Sequence, residues 1–151
     1  MDPVEWVAPR LAELARGRTL DLGCGEGRFL PRDGVGVDLD PVRLRVARTR
    51  SAKVVQADAH RLPFGDGTFD TVFANRMLNA AGDIDTVLGE CARVLRAQGS
   101  LVVLTRARRK PDLDRLDPEN GAERLRRYFA DVTVERGAEA ALFVARATRG
   151  R

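Results

Sequence analysis

The chain reads as a doubly wound α/β fold: an open, mostly parallel seven-stranded sheet with helices on both faces and an antiparallel hairpin at its C-terminal end. Three observations predict it. Short apolar runs alternate with helix-period segments from Thr19 to Leu104. Leu101-Val102-Val103-Leu104 has no polar alternation, which marks a strand covered on both faces, in the middle of a parallel sheet. Two strand-like runs, 132–136 and 141–147, are separated only by Gly137-Ala138-Glu139-Ala140. That gap is too short for a helical crossover, so the last two strands pair antiparallel.

Residues 4–16 carry Val7, Leu11 and Leu14 at helical spacing, with Pro9 in the first turn, where its missing N–H does no harm, and Gly17 as the stop. Trp6, just ahead, reads either as a plug on the core or as a lid over a ligand. A strand over 19–22 runs into a glycine-rich turn. The helix after that turn has room for only a turn or two, because Pro31 and Gly34 interrupt soon after Phe29-Leu30. A second strand, 34–38, ends at Asp38. Pro41 then opens a helix through Arg50 with Val42, Leu44, Val46 and Ala47 as its apolar side.

Residues 53–56 form a third strand, followed by Ala57-Asp58-Ala59-His60 and a loop rich in Pro and Gly over 62–67. The fourth strand spans 69–75. Asp83 is placed to cap a helix from Ile84 to Arg96, whose Ile84, Val87, Leu88, Cys91, Val94 and Leu95 make one stripe. Gln98-Gly99 stops that helix before the fifth strand, 101–104. Residues 106–120 are charged and contain proline, and so read as loop. A helix around 122–129 turns Leu125, Tyr128 and Phe129 inward before the hairpin.

At 151 residues one domain is expected. No apolar run approaches the roughly 20 residues that span a bilayer, and the acidic N-terminus lacks a secretory pattern. Cys24 and Cys91 give neither a disulfide framework nor metal spacing. A cytoplasmic protein without a metal site is therefore expected. The net charge of +4 is matched by Arg106, Arg108, Arg109 and Lys110 alone, so the basicity is local to one loop.

Thr19-Leu20-Asp21-Leu22-Gly23-Cys24-Gly25-Glu26-Gly27-Arg28 organises the chain. Glycine serves where the backbone takes positive φ or lets a ligand lie against it. In a doubly wound sheet a ligand sits beyond the carboxyl ends of the strands, where strand order reverses. Asp21, Gly23, Gly25, Asp38, Asp58 and Asn75 all fall at or just past such ends. A dinucleotide site wants G-x-G-x-x-G opening a long helix. Here the third glycine comes one residue early and the helix is cut short. A phosphate loop needs Gly-Lys-Ser/Thr, and Gly27 is followed by Arg28-Phe29.

The stretch instead resembles the first motif, D/E-x-G-x-G-x-G, of the class I S-adenosylmethionine-dependent methyltransferases. Val35-Gly36-Val37-Asp38, Ala57-Asp58-Ala59-His60-Arg61-Leu62-Pro63-Phe64, Phe69-Asp70-Thr71-Val72-Phe73 and Glu90-Cys91-Ala92-Arg93-Val94-Leu95 resemble its later motifs in order. Residues 19–104 are thus similar to the small "methyltransferase 11" or UbiE-like domain, with a Rossmann-like fold. The resemblance implies a cofactor core at 18–104, an N-terminal helical segment at 1–17 and a substrate-side part at 105–151. It implies S-adenosylmethionine as cofactor and S-adenosylhomocysteine as product.

By that resemblance Gly23, Cys24 and Gly25 would lie against the methionine and ribose portion. Asp21 would orient the loop or receive the cofactor's ammonium group. Asp38 would accept the ribose hydroxyls, and Leu39 would pack on adenine. Asp58 would take the exocyclic amine while Ala59 lends its N–H. Asn75 would end strand four beside the methyl group. Methyl transfer from a sulfonium is an in-line displacement, so alignment at about 3 Å is the main catalytic task. No dedicated base is obligatory, which leaves Asn75 and the lone histidine, His60, as the catalytic candidates.

On the acceptor side the candidates are Trp6, Arg28, Asn79, Arg106 and Arg108. The family's His pair after strand four is replaced by Arg76-Met77-Leu78-Asn79-Ala80-Ala81, and N/D-P-P-Y/W and Pro-Cys motifs for DNA bases are absent. Aromatics for base stacking are scarce, so a small-molecule acceptor ranks above RNA. An RNA or protein acceptor held by the 106–110 loop, or a non-catalytic cofactor-binding partner subunit, are the alternatives.

Overall fold

The computed structural model describes residues 7–51, 53–75, 77, 78, 81–106, 116, 120–137 and 140–148. In chain order the elements are α1 (Val7–Leu14), β1 (Thr19–Leu22), β2 (Val35–Asp38), α2 (Pro41–Ala47), β3 (Val54–Gln56), β4 (Phe69–Asn75), α3 (Ile84–Val94), β5 (Leu95–Arg106), α4 (Gly121–Leu125), β6 (Asp131–Arg136) and β7 (Ala140–Arg146). The strands form one seven-stranded sheet in the order β3-β2-β1-β4-β5-β7-β6. Pairing is parallel from β3 to β5, and β7 runs antiparallel to both β5 and β6. The expected hairpin supplies the one reversed strand. β5 is buried as expected, but it borders the reversed strand instead of lying between two parallel ones.

Strand periodicity divides the core. Leu20, Leu22, Val35, Val37, Val72, Ala74, Leu101 and Val103 face α3 and α4 in the larger core. Their neighbours Phe73, Val102 and Leu104 face the other way and pack with Leu11 of α1. Asp21, Asp38 and Asn75 alternate onto that second face and carry its polar chemistry at the strand ends. α2 sits there too, burying Leu44 and Ala47 against Cys24 and Val54.

The expected Pro41, Asp83 and Gly17 signals stand at helix ends, and Asp40 adds a cap to α2. Asp40 caps α2 through Val42 and Arg43 N–H groups, with Pro41 in the first turn. Asp83 caps α3 through the N–H of Thr86. Gly17 takes φ +63° after α1. Elsewhere the structure corrects the expectation. No helix follows the glycine stretch: 23–34 is a succession of turns, because Gly23, Gly25 and Gly27 all take positive φ and Pro31 follows closely. On α2 only Leu44 and Ala47 face inward; Val42 is 64% exposed and Val46 also points out. A two-turn helix has one narrow buried stripe, and those two valines lie off it.

α3 stops at Val94, two residues before Arg96. Leu95 is already extended, and β5 starts there with a register irregularity opposite Phe69 and Thr71. Tertiary contacts win over helix propensity at this point. The Arg96 guanidinium binds the Asp70 carboxylate, and Gly99 has no room for a side chain between the carbonyls of Asp70 and Arg96. α4 is likewise shorter than expected, although Leu125 and Phe129 are buried as its stripe implies. Among the described residues no helix is long and apolar enough to cross a membrane, and no three metal-ligating side chains cluster. Cys24 and Cys91 are buried thiols, each pushed up to about 12, chiefly by desolvation.

Candidate cofactor and acceptor site

The strand order reverses between β1 and β4, and the glycine loop, Asp38, Asp58 and Asn75 meet at that carboxyl rim. The loop is pinned there by main-chain bonds. Gly23 N–H and Cys24 N–H both donate to the Val37 carbonyl at 2.8 and 2.9 Å. The loop can lie this close because β2 carries glycine at position 36. A Cβ on Gly36 would stand 2.8 Å from Cys24 Sγ. Gly23 itself takes φ +71°, and a Cβ there would meet Cβ of Met77 at 2.7 Å. Gly36 backs the loop and Met77 stands beside it, neighbours that no local pattern in the sequence marks, since only folding brings them together.

Asp38 ties the assembly together. Its Oδ2 accepts from Gly25 N–H at 2.8 Å and its Oδ1 from Asp40 N–H at 2.9 Å. Each carboxylate oxygen still has acceptor capacity. Two cavities open on either side of Gly23. One, of about 240 Å³, is walled by Val37, Leu39, Ala57, Ala59, Asp58 and His60. Its walls are mainly apolar, and Leu39, at 61% exposure, presents uncovered aliphatic surface at its mouth. The other, of about 360 Å³, is polar, with Asp21, Glu26, Arg28, Arg43 and Asn75 in its wall. The two share Gly23 as a common wall.

The polar cavity holds two unsatisfied acceptors. Asp21 is 3% exposed and its carboxyl makes no hydrogen bond among the described residues. Burial first, and then the charge of Asp38, push it up to about 7. Asn75 Oδ1 is buried without a partner. Groups of this kind are costly unless a ligand completes them. In the apolar cavity, Asp58 Oδ1 accepts from the His60 main-chain N–H at 2.9 Å and lies 2.6 Å from His60 Nδ1. Those bonds hold the Asp58 carboxyl below the usual range. Its second oxygen has no partner among the described residues.

His60 therefore lines the cavity of Asp58, while Asn75 lines the other. The structure brings Asp21, Gly23, Cys24, Gly25 and Asn75 to one chamber and Asp38, Leu39, Asp58, Ala59 and His60 to the next. Arg28 is exposed, with its guanidinium 5.3 Å over the Phe29 ring. Arg106 is exposed at the end of β5. Trp6, Asn79, Arg108 and the rest of the 107–110 basic run lie outside the described residues. Arg43, on the first turn of α2, is a further wall residue that sequence spacing did not single out.

A family model described as a methyltransferase domain matches residues 20–103. The chain is 37% identical over 106 residues to a demethylmenaquinone methyltransferase of Thermus thermophilus, covering 61% of this chain and 48% of that one. It is 35% identical over 106 residues to a malonyl-[acyl-carrier protein] O-methyltransferase of Legionella pneumophila, covering 62% and 37%. The aligned parts thus span less than half the length of these relatives. The structure of an S-adenosylmethionine-dependent methyltransferase of Thermotoga maritima superposes with a TM-score of 0.80 at 19% identity, covering 95% of this chain and 89% of that one.

Proposed function

The chain belongs to the class I S-adenosylmethionine-dependent methyltransferases, and from that premise we propose that it moves the cofactor's methyl group to a small-molecule acceptor. One observation carries the reading: the polar chamber at the β1/β4 switch point holds a buried Asp21 carboxyl and a buried Asn75 Oδ1 with nothing to accept from. An ammonium-bearing ligand supplies what those groups lack. The other residues fit the rest of the same ligand. Asp38 has lone pairs left for ribose hydroxyls, Leu39 and Ala59 offer apolar cover for adenine, and the free Asp58 oxygen suits its exocyclic amine.

When bound, S-adenosylmethionine supplies an activated methyl group on a sulfonium. The chain's own work is then orientation and water exclusion, which together can lower a barrier by several kcal/mol. Asp21 would hold the amino-acid end by charge, and the Asp38–Gly25 bond would keep the loop in place under the ribose. Asn75 would meet the acceptor's nucleophile. His60, bonded to Asp58, would position that carboxylate and is not assigned as a base. A small acceptor agrees with the relative whose name specifies demethylmenaquinone.

Isothermal titration with S-adenosylhomocysteine tests this reading. Saturable binding is expected, weakened at least about tenfold by Asp38→Ala, since the mutation removes the ribose acceptor and frees the Gly25 N–H. No binding heat and no thermal shift with the wild-type protein would overturn it.

A further inference from the structure

A third cavity lies on the face of the sheet that carries Asp21 and Asn75. It measures about 410 Å³ and runs between α1 and the Phe29-Leu30-Pro31 turn, with Leu11, Ala12, Ala15 and Phe73 among its walls. It exists because the crossover from β1 to β2 is made of turns: a helix there would cover the sheet beside α1. Its floor, Phe73, is two residues before Asn75 on β4, and alternate strand residues share a face. The crevice and the polar chamber therefore lie on the same face of β4. Arg28 and Phe29 line both spaces, with the guanidinium stacked on the ring at their junction.

We propose that this crevice is the acceptor site and that the acceptor is an amphiphile. Its apolar body, alkyl, prenyl or aromatic, lies between α1 and the Phe29–Pro31 turn. Its head, an ionised carboxyl or hydroxyl, passes Arg28 and meets the Nδ2 amide, the donor end of the Asn75 side chain. The proposal rests on the methyl-transfer reading and adds the substrate class to it. The size is that of a ligand pocket, with room for about a dozen methylene-sized groups on the scale of roughly 30 Å³ for a liquid water. Its shared wall with the polar chamber, Arg28 and Phe29, argues for a small acceptor over a protein helix or a second copy.

The chemistry closes without a base. The head arrives ionised, its proton already lost to solvent and its charge balanced by Arg28. A lone pair on its oxygen forms the bond to the methyl carbon as the carbon–sulfur bond breaks, and that electron pair stays on sulfur.

Decanoate, with acetate and 1-decanol as controls, probes the site on protein saturated with S-adenosylhomocysteine. Decanoate is expected to bind, with affinity rising up to about fourfold per methylene along the series from acetate. Ala12→Phe, which fills the crevice from the exposed side of α1, should weaken decanoate at least tenfold and leave S-adenosylhomocysteine affinity unchanged. Arg28→Gln should weaken decanoate and leave decanol as it was. If Ala12→Phe fails to fold, Ala8→Phe at the rim of the same helix replaces it. No decanoate binding, binding indifferent to the filled crevice, or a dimer that the filling variant dissociates would each overturn the proposal. Loss of S-adenosylhomocysteine binding by the wild type would instead overturn the reading beneath it.

Discussion

Asp21 makes the unliganded fold pH-sensitive in a direction opposite to that of most carboxylates. Its carboxyl is buried with no hydrogen bond among the described residues and stands near 7 instead of 3.8. A raised carboxyl means that the folded state binds more protons than the unfolded one between those two values. Stability is therefore greatest at the acid side of this window and falls as pH rises through 7. At about 1.4 kcal/mol per unit, the loss between pH 5 and pH 8 comes to about 2.5 kcal/mol, the remainder falling below pH 5. For a chain of this size that is a drop in Tm of about 5–10 °C. Asp58, Asp83, Asp85, Glu90 and Glu135, all held below their usual range, are ionised in both states across this window and do not mask it. The assay is thermal unfolding of the ligand-free protein across pH 5–8, beside Asp21→Asn. The variant should lose the downward slope and melt above the wild type at pH 8. It should also bind S-adenosylhomocysteine poorly, since the amide lacks the charge that meets an ammonium. A wild-type Tm that is flat or rises over this range, with Asp21→Asn following it, refutes the assignment of a buried, unpartnered carboxyl.

Two further substitutions test how the chamber walls are held. Arg93 donates to Glu90, to Asp66 and to the carbonyls of Leu62 and Phe64, while Glu90 also accepts from Leu62 N–H at 2.7 Å. One guanidinium fork thus fixes the segment that follows His60, and an ammonium cannot span the same acceptors. Arg93→Lys should destabilise by about 2 kcal/mol in urea unfolding, with an unchanged m-value; a neutral result refutes the network's role. Gly36→Ala should cost about 1–3 kcal/mol and weaken S-adenosylhomocysteine binding, because the new methyl would meet Cys24 Sγ at 2.8 Å and Val54 at 3.1 Å. Gly89→Ala on α3, where a Cβ meets nothing within 4 Å, is the control and should stabilise by about 0.5–1 kcal/mol. Equal effects at the two positions refute the packing argument.

The sequence by itself determined the number and order of the strand segments, the hairpin, the Pro41 start of α2 and the Asp83 cap of α3, because each depends on neighbours within a few residues. Short apolar runs, a Pro that opens a helix, and a gap too short for a crossover are all local signals. It also pointed to one rim, since Asp21, Asp38, Asp58 and Asn75 all fall at or near the carboxyl ends of strands. Tertiary structure decided the rest. The turn-only crossover from β1 to β2 arises from three left-handed glycines packed on β2 and α2. The end of α3 is set by Arg96 reaching Asp70, 26 residues away. The partnerless state of Asp21, the Asp38–Gly25 bond and the crevice behind Phe29 are all relations between separate segments. Periodicity reports which face a residue occupies, but only the folded chain decides what meets it there, and at this rim that meeting leaves the Asp21 carboxyl and Asn75 Oδ1 without a donor among the described residues.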